Sequence, residues 1–177
     1  MTGRIVILTG ERDVGKSTVC RKTIALAQAR QHTCCGIMTL SRPDGNREAL
    51  DASTGNVRRL TLEPDVLSGV TQGRFRFDPE ALAWGNDVLT HVLACDLLVV
   101  DEVGPLEVER GEGWLKAFDV LREAKFTLAL VVVRPELLVQ VQLRLPASAT
   151  AVFTVTPQNR DGLPEVFLEM LQGKSPA

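Results

Sequence analysis

Residues 10–17 of the chain read GERDVGKS and match G-x-x-x-x-G-K-[ST], the pattern of a phosphate-binding loop. An apolar, β-branched run over residues 4–9 precedes the loop, and a helical pattern over residues 16–30 follows it. Such a loop wraps backbone N–H groups around a polyphosphate at a helix N-terminus, where partial positive charge collects. The motif therefore predicts a strand, a loop and a helix that together bind a nucleoside triphosphate.

Two side chains of this loop predict how the phosphates and a metal ion are held. Lys16 is expected to reach the outer phosphates as a point charge, and the hydroxyl of Ser17 to bind Mg²⁺, the expected cofactor. The alternative is a glycine-rich turn that binds nothing, but strand, Lys-Ser pair and helix are all in register for a phosphate loop. The expected nucleotide contacts along the loop are Gly10, Glu11, Arg12, Asp13, Val14, Gly15, Lys16, Ser17 and Thr18.

Length and composition are those of one ordinary globular domain, expected over residues 1–177. The net charge of −2 does not indicate a nucleic-acid partner. No apolar run reaches the roughly 20 residues needed to cross a bilayer, and the chain begins with a core strand instead of a leader. The four cysteines lack C-x-x-C spacing and suit reduced thiols. We therefore expect a cytoplasmic protein without membrane contact, whose oligomeric state the sequence leaves open.

Apolar strands and helical patterns alternate along most of the chain. Further strands are predicted at residues 33–40, 97–100, 127–133 and 149–156, and further helices at residues 78–94, 114–124, 135–145 and 163–171. The strands lack polar alternation, which indicates an α/β fold whose parallel sheet is covered on both faces. Ligands of such sheets bind beyond the carboxyl ends of the strands. The polar residues expected at those ends are Gly10, Ser41, Asp101, Glu102, Arg134 and Thr156.

The helix predicted over residues 78–94 has a clear start. Asp78 is the expected N-cap, and Pro79 follows at the first helical position, where its missing N–H costs nothing. The side chains that this helix is expected to bury are Leu82, Val88, Leu89, Val92 and Leu93.

Residues 41–77 interrupt the alternation and predict a hairpin-containing insertion at the edge of the main sheet, within the same domain. Turn signals at residues 43–46 and 55–56 separate strand-like stretches. The arginines of this region are Arg42, Arg47, Arg58, Arg59, Arg74 and Arg76. They could clamp a second phosphate-bearing substrate, supply a finger to a neighbouring subunit or contact RNA, whereas a solvated face is the simplest interpretation for most of them. Arg42 and Arg47 are exceptions, because they flank the turn on the ligand edge.

Two phenylalanines in this region allow two interpretations. Phe75 and Phe77 alternate with Arg74 and Arg76, which could indicate stacking on nucleic-acid bases. Alternation along an edge strand with one buried face explains them more simply.

Asp101 and Glu102 follow an apolar strand and complete the signature that the phosphate loop begins. Asp101 is expected to hold Mg²⁺ through water, opposite Ser17. Glu102 is expected to orient and polarise a water molecule for attack on the γ-phosphorus, which favours hydrolysis; a strand-end surface charge is the alternative. The segment that carries this second motif is Val99, Val100, Asp101, Glu102, Val103 and Gly104.

Three further residues are predicted around the nucleotide. Arg134 ends the strand after the one that carries Asp101, so it is expected near the γ-phosphate as a sensor or a stabiliser of transition-state charge. The alternative is a surface arginine that caps Glu136. Asn159 and Arg160 follow the last strand and could flank the base, Asn159 by reading an edge and Arg160 by stacking. The spacing is not N-K-x-D, so the base preference stays open.

With these residues assembled, the chain resembles the THEP-type nucleoside-triphosphatases over nearly its whole length. The segments that carry the resemblance are TGERDVGKST, TLSRPDGNR, VVDEVGPLEVE and VTPQNRDGL. The residues that match motifs of this family are Asp101, Glu102, Gly104 and Glu107, the post-strand Arg42 and Arg47, and Asn159, Arg160 and Asp161. The resemblance implies Mg²⁺-dependent hydrolysis of ATP and of GTP, CTP and UTP to the diphosphate. It also implies the additional-strand, catalytic-glutamate, RecA-like class of P-loop folds.

The chain departs from this family at several positions. Arg12-Asp13 replaces a Pro-Gly pair inside the loop, so a carboxylate should oppose the phosphates unless a neighbouring cation offsets it. Asp tolerates a left-handed backbone, which keeps the turn feasible. Ser41 stands where Glu is common, and Ala49-Leu50 where Gly-Phe is common.

Two other functions compete with hydrolysis. The first is a nucleotide or nucleoside kinase that holds its acceptor with residues 41–77. The second is a nucleotide-gated module that binds RNA or a protein, with turnover incidental, although the net charge argues mildly against RNA.

Overall fold

The computed structural model describes residues 3–63, 66 and 68–174. The strands among them are β1 (Arg4–Thr9), β2 (Cys34–Ser41), β3 (Arg47–Asp51), β4 (Val57–Arg59), β5 (Val70–Gln72), β6 (Phe75–Phe77), β7 (Ala94–Val103), β8 (Lys125–Val133) and β9 (Thr150–Thr154). The α-helices are α1 (Lys16–Ala29), α2 (Pro79–Thr90), α3 (Ala117–Glu123), α4 (Leu138–Gln142) and α5 (Leu163–Leu171). A π-helical turn covers Leu106–Arg110, and short 3₁₀ turns cover Pro135–Leu137 and Ala147–Ala149.

Seven strands form the main sheet in the order β4-β3-β2-β7-β8-β1-β9. The pairs β2·β7, β7·β8, β8·β1 and β1·β9 are all parallel, which confirms the parallel α/β sheet predicted from the strand pattern. β8 lies between the strand that leads into the phosphate loop and the strand that carries Asp101. This intervening strand is the feature that the resemblance implied.

The core consists of two apolar layers, one on each face of the main sheet. Successive strand residues point to opposite faces, so in β1 Ile5 and Ile7 pack into one layer and Val6 and Leu8 into the other. All four are fully buried. Helices α2, α3 and α4 cover the first layer, and α1 and α5 cover the second. None of the helices that the structure describes is long and apolar enough to span a membrane.

Helix α2 begins as the sequence predicts but ends earlier. The Asp78 carboxylate accepts a hydrogen bond from Glu80 N at 2.9 Å, and Pro79 opens the helix. Leu89 is buried as expected, but Leu93 is 80% exposed, so the prediction for Leu93 was wrong. The reason is that the chain leaves the helix at His91 and β7 starts at Ala94, so the apolar pattern continues beyond the helix itself.

Residues 41–77 form two separate hairpin systems. β3 pairs antiparallel with β2 and with β4, which places β4 at one edge of the main sheet. β5 and β6 form a two-stranded sheet of their own, joined to the rest by the bridge between Thr61 and Phe77. β6 is therefore not an edge strand of the main sheet. The assignment of residues 1–177 to one domain stays a prediction.

Candidate nucleotide-binding and catalytic site

A pocket of about 800 Å³ opens at the carboxyl ends of β1, β7 and β8. The phosphate loop forms one wall and the β5–β6 hairpin another, and the lining residues at the ends of β7 and β8 form what we call the floor. The position agrees with the rule that open parallel sheets bind ligands beyond the carboxyl ends of their strands.

The backbone of the phosphate loop needs glycine at its entrance. Gly10 has φ 137°, and a Cβ added there would lie 2.5 Å from Val155 O, closer than real contacts allow. Asp13 has φ 58°, in the left-handed region that Asp tolerates better than most residues. Its side chain is 83% exposed, with Arg12 Nε 3.7 Å away. Because solvent and this guanidinium screen the Asp13 carboxylate, its repulsion of phosphate is weak.

Lys16, the first residue of α1, lies folded into the loop. Its Nζ donates to Gly10 O at 2.8 Å and to Glu11 O at 2.7 Å. Burial lowers the pKa of Lys16, and the nearby carboxylates of Glu102 and Asp101 act in the opposite direction. The ammonium is thus held by two carbonyls of the loop, where the charges of both acidic residues act on it.

Asp101 and Ser17 provide an oxygen pair suited to a hard cation. Asp101 is 2% exposed, and burial raises its pKa to about 7, with a hydrogen bond to the Ser17 side chain acting to lower it. Asp101 Oδ2 is buried and has no hydrogen-bond partner among the described residues. A carboxylate oxygen without a partner beside a hydroxyl is a donor set that fits Mg²⁺.

Glu102 and Arg134 form an ion pair across the floor of the pocket. Arg134 Nε and Nη2 both lie 2.8 Å from Glu102 Oε1, a charge-assisted contact. The peptide bond between Asp101 and Glu102 is cis. Glu136, the alternative partner weighed for Arg134, lines the same pocket and forms no ion pair with Arg134 in the described structure.

Glu107 fixes the segment that follows β7. It lies in the π-helical turn, where Oε2 accepts from Gly104 N at 2.8 Å and Oε1 accepts from Trp114 N at 2.7 Å. Burial raises its pKa to about 7, and these two hydrogen bonds act to lower it. Both carboxylate oxygens are engaged by backbone, so Glu107 shapes the pocket wall beside Glu102.

The β5–β6 hairpin brings in side chains that sequence reasoning did not place at the site. Gln72, Arg74 and Phe75 all line the pocket, together with Arg47 from the start of β3. The guanidinium groups of Arg47 and Arg74 each lie 4.9 Å from the centre of the Phe75 ring. A glutamine at the end of a three-residue strand carries no sequence signal of function, and the simpler interpretation of Phe75 missed its position in the pocket.

The remaining predicted residues are distributed unevenly. Arg160 packs on the phosphate loop and its Nη1 lies 3.3 Å from Val14 O. The Asn159 side chain is engaged within its own loop, accepting from Thr156 N at 2.8 Å and donating to Thr154 O at 2.9 Å. Arg42 pairs with Glu48 at 2.7 Å and lines a separate surface depression. The structure thus brings Arg47 to the pocket, but neither Arg42 nor Asn159.

Comparisons with known proteins identify relatives of this chain. A family model described as NTPase matches residues 5–168 of the chain. The nucleoside-triphosphatase THEP1 of Methanopyrus kandleri is 33% identical over 174 residues, which cover 93% of each chain. The protein of the same name from Methanosarcina acetivorans is 32% identical over 166 residues, covering 90% of this chain and 92% of its own. The crystal structure of THEP1 from Aquifex aeolicus matches with a TM-score of 0.68 and 18% identity, covering 95% of this chain and 99% of that one, a likeness of fold.

Proposed function

The chain belongs to the NTPase family, and on that premise we propose that it hydrolyses nucleoside triphosphates to the diphosphate and phosphate in a Mg²⁺-dependent reaction. ATP, GTP, CTP and UTP are the proposed substrates. The observation that carries the proposal is the convergence of Lys16, Ser17, Asp101, Glu102 and Arg134 on one pocket at the carboxyl ends of parallel strands.

Binding of the triphosphate is assigned mainly to the phosphate loop. Backbone N–H groups at the start of α1 face the phosphates, and Lys16 exchanges its two loop carbonyl partners for phosphate oxygens. Ser17 and Asp101 would hold Mg²⁺, which supplies charge neutralisation on the phosphate oxygens. The unpartnered oxygen of Asp101 supports this assignment.

Glu102 is assigned as the group that orients the attacking water and accepts its proton. Its Oε1 is part of the pocket floor and is oriented by Arg134 from the neighbouring strand. Arg134 is placed to interact with charge that develops on the transferred phosphoryl group. Both side chains are only partly exposed, which strengthens charge interactions relative to those in water.

Four further residues predicted to contact the nucleotide differ in their distance from the pocket and in their present partners. Arg47 lines the pocket and its charge acts on Asp101, which supports a contact with a phosphate group in this pocket. Arg160 lies against the loop, which supports a position beside the base or sugar. Arg42 and Asn159 would first have to give up the partners described above. We also propose a cytoplasmic location, because the four cysteines are free thiols.

Phosphate release from the four common nucleoside triphosphates, measured with and without Mg²⁺, tests the proposal. We expect release from each in the presence of Mg²⁺ and none with chelator. Lys16→Ala should abolish turnover, since among the described residues no other cationic side chain is hydrogen-bonded to the Gly10 and Glu11 carbonyls of the loop. Release that is independent of Mg²⁺, or that survives in Lys16→Ala, contradicts the proposal.

A further inference from the structure

We propose that Gln72, Arg74 and Arg47 form a second phosphate subsite in this pocket, separate from the phosphate loop, which binds a phosphate monoester or free phosphate. The inference rests on the proposed function, because the two subsites share one pocket. Three observations on the β5–β6 hairpin wall support it: the orientation of its arginines, a buried amide donor without a partner, and the contacts that hold the hairpin in place.

The first observation is that the two arginines are oriented and form no ion pair among the described residues, although the charge of Arg47 acts on Asp101. Neither Arg47 nor Arg74 forms an ion pair with any residue that the structure describes. Each guanidinium is instead held over the Phe75 ring, at 4.9 Å from its centre. Guanidinium groups fixed in this way retain their N–H donors for the oxygens of a phosphate, which they bind in a bidentate geometry.

The second observation is an amide donor without a partner. Gln72 Nε2 is buried and has no hydrogen-bond partner among the described residues. Gln72 Nε2 and Glu102 Oε1 both lie within 4 Å of the point that a Cβ on Gly104 would occupy. An unpaired buried donor is costly, and an oxygen of a bound phosphate would satisfy it.

The third observation is that the wall is held in place at both of its ends. Gln72 pairs with Phe75 across a tight turn in which Gly73 has φ 57°. Arg110 of the π-helical turn donates to Thr71 O on one side of the hairpin. On the other side, Leu62 N donates to Arg76 O at 2.8 Å.

Two carboxylates that line the same pocket have partners outside this wall, and Asp101, on which the charge of Arg47 acts, forms no ion pair with it among the described residues. Glu102 is paired with Arg134, and both oxygens of Glu107 accept backbone N–H groups. Glu102 contributes to the electrostatics of Lys16 and also lies near Gln72, so it is close to both walls. A phosphate-bearing ligand on the hairpin wall would therefore present its other groups to the place where the attacking water is proposed to lie.

The test is a titration of the protein already saturated with Mg²⁺ and a non-hydrolysable ATP analogue. Inorganic phosphate and ribose 5-phosphate are the probes, and binding is followed by ³¹P NMR and calorimetry. We expect one further equivalent of either probe to bind. Arg74→Gln, at an exposed position, and Gln72→Leu should each weaken that binding about tenfold, the loss of one charge-assisted or buried hydrogen bond, while the affinity for the analogue stays unchanged.

The matched control is Arg58→Gln. Arg58 also lies over an aromatic ring, that of Trp84 at 5.4 Å, but it does not line the pocket. Its variant should bind the probes as the wild-type protein does. The proposal is overturned if neither phosphate nor ribose 5-phosphate binds to the wild-type protein beside the analogue. It is also overturned if Arg74→Gln and Gln72→Leu bind these probes as tightly as the wild-type protein does. Failure of the proposed function would look different, because the ATP analogue itself would then not bind or would bind equally to Lys16→Ala.

A labelling experiment distinguishes the two sources of phosphate. Wild-type protein is incubated with ATP labelled at the γ-phosphorus and a panel of phosphate monoesters. Label on a monoester identifies the ligand as an acceptor: the bond from the γ-phosphorus to its bridging oxygen breaks, a bond to the acceptor oxygen forms, and Glu102 takes the acceptor proton. Label only in free phosphate, with inhibition by added phosphate that Arg74→Gln relieves, identifies a product site. Either result supports the subsite, and absence of both label transfer and relief counts against it.

Discussion

At the scale of single residues, the proposed hydrolysis depends most directly on Glu102. Glu102→Gln keeps the shape and one acceptor oxygen but cannot take a proton, so the variant should bind nucleotide normally and lose about 10²- to 10⁴-fold in hydrolysis. Phosphate release and binding of an ATP analogue, measured side by side, check this. Glu136→Gln is the matched control, because Glu136 lines the same pocket without contacting Arg134. Turnover of Glu102→Gln near the wild-type level would rule out its assignment.

The raised pKa of Asp101 predicts that the Mg²⁺ requirement of hydrolysis depends on pH. Burial raises the pKa of Asp101 to about 7, so below that pH its carboxyl group is mostly protonated and protons compete with Mg²⁺. The Mg²⁺ concentration for half-maximal hydrolysis should therefore fall about tenfold per pH unit as the pH rises from about 5 to about 7, and then level off. Mg²⁺ titrations at fixed concentrations of ATP measure it. Asp101→Asn should need far more Mg²⁺ and should lose the slope; a slope that persists in this variant assigns the effect elsewhere.

At the scale of elements, the π-helical turn supports the floor of the pocket through Glu107. Glu107→Ala leaves Gly104 N and Trp114 N without their acceptor, which should lower the free energy of unfolding by about 2–4 kcal/mol. Urea denaturation measures this loss. Glu109→Ala, on an exposed position of the same turn, should change stability by less than about 0.5 kcal/mol. Equal effects of the two substitutions would mean that these buried contacts do not stabilise the turn.

The elements differ in how far the sequence predicts them. β1 is predicted with its observed bounds because a continuous apolar run lies between Gly3 and Gly10, and α5 because an apolar periodic segment lies between Gly162 and Gly173. α3 starts three residues later than predicted, since Trp114 is held by Glu107 instead of joining the helix. Long-range contacts of this kind are invisible to periodicity.

The residues of the candidate site also differ in how far the sequence predicts them. The residues of the two phosphate-loop motifs were predicted because their spacing is local and each role is tied to a residue type. The positions of Gln72 and Arg74 in the pocket could not be predicted. They depend on β5 and β6 forming a separate sheet, which the Thr61–Phe77 bridge connects to the rest of the protein. Strands of three residues carry too little pattern to specify their partners.

At the scale of the whole molecule, two independent apolar layers stabilise one sheet. Phe167 of α5 is fully buried and meets the Phe153 ring edge-on at 5.3 Å. Phe167→Ala should lower the free energy of unfolding by about 3–5 kcal/mol, because it leaves a cavity in the layer under α1. Leu143→Ala, just after α4 on a side chain that is 82% exposed, should be nearly neutral. Thermal and urea denaturation of both variants measure the difference, and similar stabilities would contradict this description of the core.

The close approach of Gly10 to Val155 has a consequence for how the chain can be cut and rejoined. Val155 N also donates to Thr9 O at 2.8 Å, and Arg160 reaches the loop at Val14. The first and last parts of the sequence are thus in contact at the phosphate loop. New termini, tags or inserted domains placed between residues 154 and 160 would disturb the conformation of the phosphate loop. The turn at residues 42–46, on the far edge of the sheet, is the better place to open the chain.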